Sequence, residues 1–497
     1  MTTHYLLAID QGTTNSRAII FDQDGNLISL HEIPLTQSYP HPGWVEQNPL
    51  EMVENTIHCC REVLKKTNIA PEAIAGIGIS NQRETTILWD RTTGQPVYPA
   101  IVWQDRRTAE LCKTIAQTKI ASELSQKTGL LLDPYFSLTK IIWLFNHVPG
   151  VFAKALKGEL LFGTVDSYLV WKLTGGKVHI TDVTNASRTM LFNIKEQQWD
   201  VDILAAFNIP KQLLPEVSDN AADFGETEPT IFGKKIRIAG MAGDQQAAAI
   251  GQACFEQGTT KVTFGTGGFL LMNTGNTMIQ SSKGLLSTIT YRLKDQIAYG
   301  LEGSFFSAGM SIKWLRDTLK IIKTSTETEI LAKQIPDNGD VYLVPAFTGL
   351  GAPYWRPDLH AGLFGLTYNS GPAYFARAAL ESVAYQTRDL LEAILIDYPG
   401  DLFMLNVDGG MTANNWLLQF LADITNVNIT RPACIESSAL GVAYLAGLQV
   451  GVFDTLDVIS RLKKVDKIFK PQMSLLESKR LYAGWKNVVG KLLKKPF

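Results

Sequence analysis

Leu6-Leu7-Ala8-Ile9-Asp10-Gln11-Gly12-Thr13-Thr14-Asn15-Ser16-Arg17 is an apolar run that stops at an acid, turns tightly through Gly-Thr-Thr and leads into a second apolar run, Ala18-Ile19-Ile20-Phe21. The pattern predicts two strands joined by a turn. Such a turn can aim backbone N–H groups and hydroxyls at a phosphate, with the acid placed to hold a metal ion. A similar element returns as Lys261-Val262-Thr263-Phe264-Gly265-Thr266-Gly267-Gly268. One such turn is usually a plain hairpin. Two, each opening one half of the chain, predict two related lobes facing one nucleotide.

The rest of the chain extends this pattern. In the first half, strands are expected over 5–9, 18–21 and 27–32, the last two joined by Asp22-Gln23-Asp24-Gly25-Asn26. A helix is expected over 49–67, with Met52, Val53, Ile57, Cys60, Val63 and Leu64 on one face. A buried strand over 74–80 ends at Asn81-Gln82-Arg83-Glu84. The second half repeats the plan, with strands over 262–264, 269–273, 297–301 and 402–408 and helices over 305–319, 374–396 and 414–424. Alternating strands and helices predict an α/β fold, two lobes of mixed sheets flanked by helices. Their domains are set at residues 1–250 and 251–497.

Composition narrows the class. The chain has 497 residues, too long for one ordinary core. The net charge of −2, from 46 basic and 48 acidic residues, gives nucleic-acid binding no electrostatic support. The one basic run is the short tail from Lys491 to Lys495. Cys59, Cys60, Cys112, Cys254 and Cys434 form no Cys-x-x-Cys pair, which fits a reducing cytoplasm and argues against disulfides or zinc. The start lacks the charged-then-apolar pattern of a signal peptide. The longest apolar stretch, 439–453, is broken by glycines and Gln449 and reads as a buried helix, so no integral membrane segment is expected.

Phosphoryl transfer needs donors around the phosphates, a metal and an aligned nucleophile. Three elements at strand-to-turn junctions could supply the donors. They are 10–14, 265–268, and Asp408-Gly409-Gly410 with Asn414. Asp408 itself is expected to shape its turn. No Gly-x-x-x-x-Gly-Lys-Ser/Thr loop is present, and no His-Arg-Asp loop, which sets aside P-loop enzymes and protein kinases. Asp244 follows a strand-like run over 236–239 and a small-residue turn. A carboxylate there is rigidly held where it can approach a substrate, and with a helix expected from Gln245 onward it also suits a helix N-cap.

These segments resemble the FGGY carbohydrate kinases, within the superfamily of actin, hexokinase and heat-shock-chaperone ATPases. The resemblance covers almost the whole chain. It is carried by Asp10-Gln11-Gly12-Thr13-Thr14, Asn81-Gln82-Arg83-Glu84-Thr85-Thr86, Trp103-Gln104-Asp105-Arg106-Arg107-Thr108, Asp133-Pro134-Tyr135-Phe136-Ser137, Asn185-Ala186-Ser187-Arg188-Thr189-Met190 and Gly243-Asp244-Gln245-Gln246-Ala247. It implies duplicated ribonuclease-H-like lobes with the active-site cleft between them.

It also implies ATP and Mg²⁺ as cofactors, glycerol as acceptor, and a homodimer or homotetramer. Asp244 is then the general base. Arg83, Glu84, Trp103, Tyr135, Gln245 and Phe269, with Asp244, form the glycerol site. Thr13, Thr14, Asn15, Arg17, Thr266, Gly267, Gly309, Lys313, Gly410 and Asn414 meet the nucleotide. Lys313 departs from relatives that carry Gln there. Asp10 approaches Mg²⁺ through water. Two other readings share the phosphate turns: a kinase for another polyol or for a pentulose such as xylulose, and an actin- or chaperone-like ATPase. The stretch 230–237 lacks the Gly-Gly-Thr-Arg loop and the nearby His through which some relatives are regulated.

Overall fold

In the computed structural model, which describes residues 4–494 except Asp295, Asp401 and Phe403, the Asp10 turn stands at the end of the central strand of a five-stranded sheet. Lys495 and the residues at 401 and 403 therefore lie outside the described residues. Counting the strands of the two large sheets along the chain, the first holds β1 (Tyr5–Gln11), β2 (Asn15–Asp22), β3 (Leu27–Pro34), β4 (Ile74–Asn81) and β5 (Ile238–Gly243). The second, seven-stranded sheet holds β6 (Thr260–Phe264), β7 (Gly268–Gly275), β8 (Leu286–Leu293), β9 (Gln296–Phe305), β10 (Met404–Asp408), β11 (Asn428–Pro432) and β12 (Val465–Phe469).

The sheets share one topology. In the first the order is β3-β2-β1-β4-β5, with β1, β2 and β3 antiparallel neighbours and β4 and β5 parallel beside them. In the second, β9-β7-β6-β10-β11 repeats that order and sense, and β8 and β12 extend the two edges. The two phosphate-type turns, β1 to β2 and β6 to β7, occupy equivalent places.

Both faces of the first sheet are covered, which is why its strands read as unbroken apolar runs. Leu7, Ile9, Ala18 and Ile20 pack with Met52, Cys60 and Val63 of α1 (Pro49–Thr67). Asn48 caps α1 by accepting from Leu50 N, and Asn68 ends it in the left-handed region. Leu6, Ala8, Ile19 and Phe21 face the other way, into a core shared with α2 (Asp244–Gly251) and a late helix, Ser437–Val450. A unit inserted between β4 and β5 has its own core around Leu124, Leu138, Ile141 and Ile203. The second sheet is covered by α3 (Pro372–Asp397) and α4 (Asn415–Thr425).

The helix Ser437–Val450, here α5, follows β11 of the second sheet yet lies on the first. Only glycines permit the approach. A Cβ added at Gly78 of β4 would stand 2.1 Å from Val442 O, and one at Gly240 of β5 would stand 2.5 Å from Ala446 N. Against α2, a Cβ at Gly441 would meet Ala247 O at 1.8 Å and one at Gly251 would meet Ser437 O at 2.0 Å. The long apolar stretch expected as a buried helix is this element. No helix among the described residues is long and apolar enough to cross a membrane.

Two local expectations are corrected. The helix expected over 305–319 begins later: β9 runs through Phe305, a short helix covers Gly309–Lys313, and a wider π turn follows over Trp314–Thr318. Phe305 pairs with Gly268, and its ring fills the space that a side chain at Gly268 would take. An apolar run of this kind cannot tell strand from helix by periodicity alone. Asp408 does not shape its turn. Its carboxylate accepts from Gln252 Nε2, just beyond α2, while Gly409 supplies the turn with a φ of 88°.

The α2–α5 contact predicts a steep cost for side-chain volume. Gly441→Val is expected to destabilise by about 3 kcal/mol or more, since neither backbone can yield. Gly490→Ala, in a helix where a Cβ meets nothing within 4 Å, is expected to stabilise by about 0.5–1 kcal/mol. Denaturant unfolding of both variants checks the contrast.

Candidate active site

The first turn is braced from below. Gly12 N donates to Asn15 O at 3.0 Å, Gln82 N to Gln11 O at 2.8 Å, and Gln47 Nε2 to Thr13 O at 2.6 Å. Thr14 is exposed and Thr13 half-buried, so both hydroxyls stand on the rim. Trp103 Nε1 donates to Thr13 Oγ1 at 2.9 Å. Asn15 Nδ2 and Arg17 Nε both donate to Glu32, and Arg17 Nη1 pairs at 3.0 Å with Glu436, the residue before α5.

The second turn is built the same way. Gly265 N donates to Gly267 O, and the short helix that follows is tied back by Gly309 N to Gly265 O at 3.0 Å and Met310 N to Thr266 O at 3.2 Å. A Cβ at Gly267 would stand 2.5 Å from Phe305 O, and one at Gly309 would stand 2.8 Å from Gly265 O. Gly410 opens the turn after β10. Asn414 Oδ1 caps α4 by accepting from Leu417 N, and its Nδ2 reaches Thr328 Oγ1 at 3.4 Å. Lys313 is exposed.

Between the turns lies a buried group of charges. Arg83 places Nη1 and Nη2 on the two carboxylate oxygens of Glu302, at 2.6 and 2.9 Å. Arg188 donates from Nε to Glu84 Oε1 at 2.6 Å and from Nη2 to Glu302 Oε1 at 3.2 Å. These four side chains are 0–2 % exposed, whereas that of Asp244 is 33 % exposed, with Oδ1 at 3.2 Å from Arg83 Nε. Burial raises the Glu302 carboxyl, but Arg188 and Arg83 outweigh it and hold the group down at about 2. Burial raises Asp10 from 3.8 to about 6, with Arg17 opposing and Glu436 and Asp244 adding to it.

Glu84 has a φ of 62°, in the left-handed region that non-glycine residues avoid. Its carbonyl accepts from Ser137 Oγ, Lys140 Nζ and Thr86 Oγ1. Lys140 Nζ also donates to Tyr135 O at 2.8 Å, and burial pushes this lysine down to about 7. Trp103 meets Tyr135 and Phe269 edge-on, at ring centroid distances of 5.5 and 6.0 Å. This corner draws on three distant segments, one of them in the second sheet. Gln245 accepts from the buried Lys261 Nζ, which also donates to Thr263 Oγ1 at 2.9 Å. Burial lowers Lys261, opposed by Asp408 and Asp244.

The structure thus brings together Arg83, Glu84, Trp103, Tyr135, Asp244, Gln245 and Phe269. Asp244 is the first residue of α2, and Gly243 occupies the cap position, so the N-cap reading gives way. Glu302 and Lys140 do not stand out in the sequence, and Arg188 and Lys261 lie in quoted motifs that gave them no role. A charge within an apolar strand run, as at Glu302 and Lys261, is the signal that could have found two of them. A separate cavity of about 450 Å³ is lined by Lys177, Glu226, Glu228, Lys235 and Arg237. There Lys177 pairs with Glu228 and Lys235 with Glu226, so its charges are matched.

Residues 5–251 match the N-terminal domain, and residues 260–450 the C-terminal domain, of the FGGY family of carbohydrate kinases. The chain is 55% identical over 490 residues to the glycerol kinase of Coxiella burnetii (strain RSA 331 / Henzerling II), covering 98% of each. To the glycerol kinase of Alkaliphilus oremlandii (strain OhILAs) it is 52% identical over 491 residues, covering 99% of this chain and 97% of that one. Among solved structures it superposes on Plasmodium falciparum glycerol kinase with ADP at a TM-score of 0.92, with 37% identity and 99% of each chain covered. The xylulose kinase of Lactobacillus acidophilus shares the fold, with a TM-score of 0.89 at 22% identity and 99% of each chain covered.

Asp10 favours its neutral form in the folded state, so its ionisation opposes folding. That penalty is absent below its ordinary value of 3.8, grows as pH rises through about 6, and is full above it. Asp10→Asn is expected to be more stable than the parent by about 1–3 kcal/mol at pH 8. The gap should close as pH falls towards 4, which urea unfolding across this range measures.

Proposed function

The chain belongs to the FGGY family of carbohydrate kinases, and we propose that it transfers the γ-phosphoryl group of ATP to glycerol, yielding sn-glycerol 3-phosphate and ADP. The observation that carries this reading is the corner of Arg83, Glu84, Trp103, Tyr135 and Phe269 beside the open carboxylate of Asp244. A triol needs donors and acceptors for its hydroxyls and an apolar wall for its carbons. Arg83 and Glu84 provide the first, and the three rings provide the second. Gln245, oriented by Lys261, adds an amide at the edge.

Asp244 takes the proton of a terminal hydroxyl as that oxygen attacks the γ-phosphorus. The new O–P bond forms while the bond from the γ-phosphorus to the bridging oxygen breaks, and ADP leaves with that electron pair. Thr13, Thr14 and Asn15 grip the phosphates from one lobe, and Thr266 and Gly267 from the other. Arg17, just beyond the first turn and paired with Glu32 and Glu436, meets the nucleotide from the same lobe. Gly309, Gly410 and Asn414 line the adenosine side. Asn414 acts there by position, since its side chain caps α4. Lys313, exposed at the end of the short helix, adds a cation.

Among the described residues no cluster of three His, Cys, Asp or Glu side chains is arranged to hold a metal ion. The half-buried Asp10, whose carboxyl is raised to about 6 by burial and by Glu436 and Asp244, is relieved by a cation that arrives with the nucleotide. Mg²⁺ suits this, because it binds through one or two carboxylates, waters and substrate phosphates. When bound it would neutralise charge on the β- and γ-phosphates.

We set the lobes that close on the substrates at residues 1–250 and 251–497. Closure excludes water, the competing nucleophile. The free cysteines, buried except for Cys434, fit a reducing cytoplasm. We place the enzyme there as a homo-oligomer.

The decisive assay is ADP release with glycerol, with xylulose, and with no acceptor. Glycerol-dependent release is expected. Full-rate release without glycerol would defeat the reading, and preference for xylulose would reassign the acceptor. In the same assay Asp244→Asn is expected to lose about 10²–10⁴-fold in kcat while its KM for glycerol changes by less than about threefold. Near-normal turnover by this variant would sink the base assignment.

A further inference from the structure

We propose that Glu302 is the positioning residue of the acceptor site: from the second sheet it fixes Arg83 and, through Arg188, Glu84, and so sets both access to Asp244 and preference for a triol. The inference rests on the proposed glycerol kinase activity. Glu302 lies inside β9, paired with Leu271 of β7 on one side and Leu286 of β8 on the other. A residue held by ladders on both sides has little freedom to follow its partners, so the partners conform to it.

Its carboxylate takes the end-on fork of Arg83 and one nitrogen of Arg188. Gln246 Oε1 accepts from Arg83 Nη1 at 3.2 Å. The Arg83 stem packs into the space that Gly243 leaves open, since a Cβ there would stand 2.7 Å from its Cγ and 2.6 Å from its Cδ. With its fork committed to Glu302 and Gln246, Arg83 presents Nε to Asp244.

The consequence for Asp244 is specific. Among the described residues, Gln245 N and Arg83 Nε reach Asp244, at 2.7 and 3.2 Å, and both fall on Oδ1. Oδ2 is left for the acceptor hydroxyl. A fork-to-fork Arg83–Asp244 pair, the geometry these groups prefer when free, would occupy both oxygens. Glu302 prevents that pairing. Through Arg188 it also holds the Glu84 carboxylate, whose own backbone is strained, in place for a second hydroxyl.

The test compares the unaltered enzyme with Glu302→Gln and Glu302→Asp, using glycerol and propane-1,2-diol, which lacks one hydroxyl. For Glu302→Gln, kcat is expected to fall about 30-fold or more and KM for glycerol to rise about tenfold, with KM for ATP within about twofold. The preference in kcat/KM for glycerol over the diol should shrink by about tenfold, because discrimination depends on buried partners held in register. Glu302→Asp, which keeps the charge on a shorter stem, should recover part of kcat/KM for glycerol.

If Glu302→Gln does not fold, Glu302→Gln combined with Arg188→Gln restores the buried charge balance and should show the same split. Loss of kcat with both KM values and the selectivity unchanged is what a merely structural role gives, and it would overturn the proposal. So would kcat/KM for glycerol within about threefold of the parent in the folded variants. Absence of glycerol-dependent ADP release by the unaltered enzyme would overturn the functional reading and this inference together.

Discussion

The closest constraint in the molecule is the backbone contact of α5 with β4, β5 and α2. Gly78, Gly240, Gly251 and Gly441 stand where a single added carbon would meet main-chain atoms at 1.8–2.5 Å. A helix that follows β11 of the second sheet is thereby fastened to the first sheet. The lobes share a core at this junction, and the β1–β2 and β6–β7 turns are held to a common cleft. Arg17, just past the β1–β2 turn, and Glu436 add an ion pair at the entry to α5.

A second constraint is electrostatic. Arg83, Glu84, Arg188 and Glu302 are almost wholly buried, and isolated charges at that depth would be prohibitive. Two cations and two anions from distant segments of the chain therefore meet in one balanced set. This separates two kinds of acid in the cleft. Glu302 is locked, with its carboxyl held at about 2. Asp244 and Asp10 are not locked in this way: among the described residues no donor is seen on Asp244 Oδ2, and burial raises Asp10 to about 6. The proposed chemistry falls to the acids that the buried set does not consume.

Much of this was legible along the chain. The two Gly-Thr turns, the run up to Asp244, α1, and the long helices over the second sheet follow local rules of turn chemistry and periodicity. Arg83, Glu84, Trp103 and Tyr135, proposed to face the acceptor, drew notice because they sit in short, dense motifs. Glu302 and Lys261 escape such a reading because each lies in a strand whose neighbours explain the strand and not the charge. Lys140 lies within a helix, and it donates to two carbonyls that no spacing reveals. The Phe305 boundary was hidden for a related reason: an apolar run is compatible with strand and helix until a partner strand is present.

The amino-acid sequence by itself determined the duplicated α/β plan, the two Gly-Thr turns that open its halves, and the motifs that mark a carbohydrate kinase. These depend on interactions within a few residues of one another. The tertiary structure alone decided which side chains share the cleft, which oxygen of Asp244 is open, and that a glutamate from the second sheet holds arginines from the first half of the chain. Pairing of buried charges and the fit of helix backbone onto glycine act between residues hundreds of positions apart, and only the folded chain brings those partners within reach.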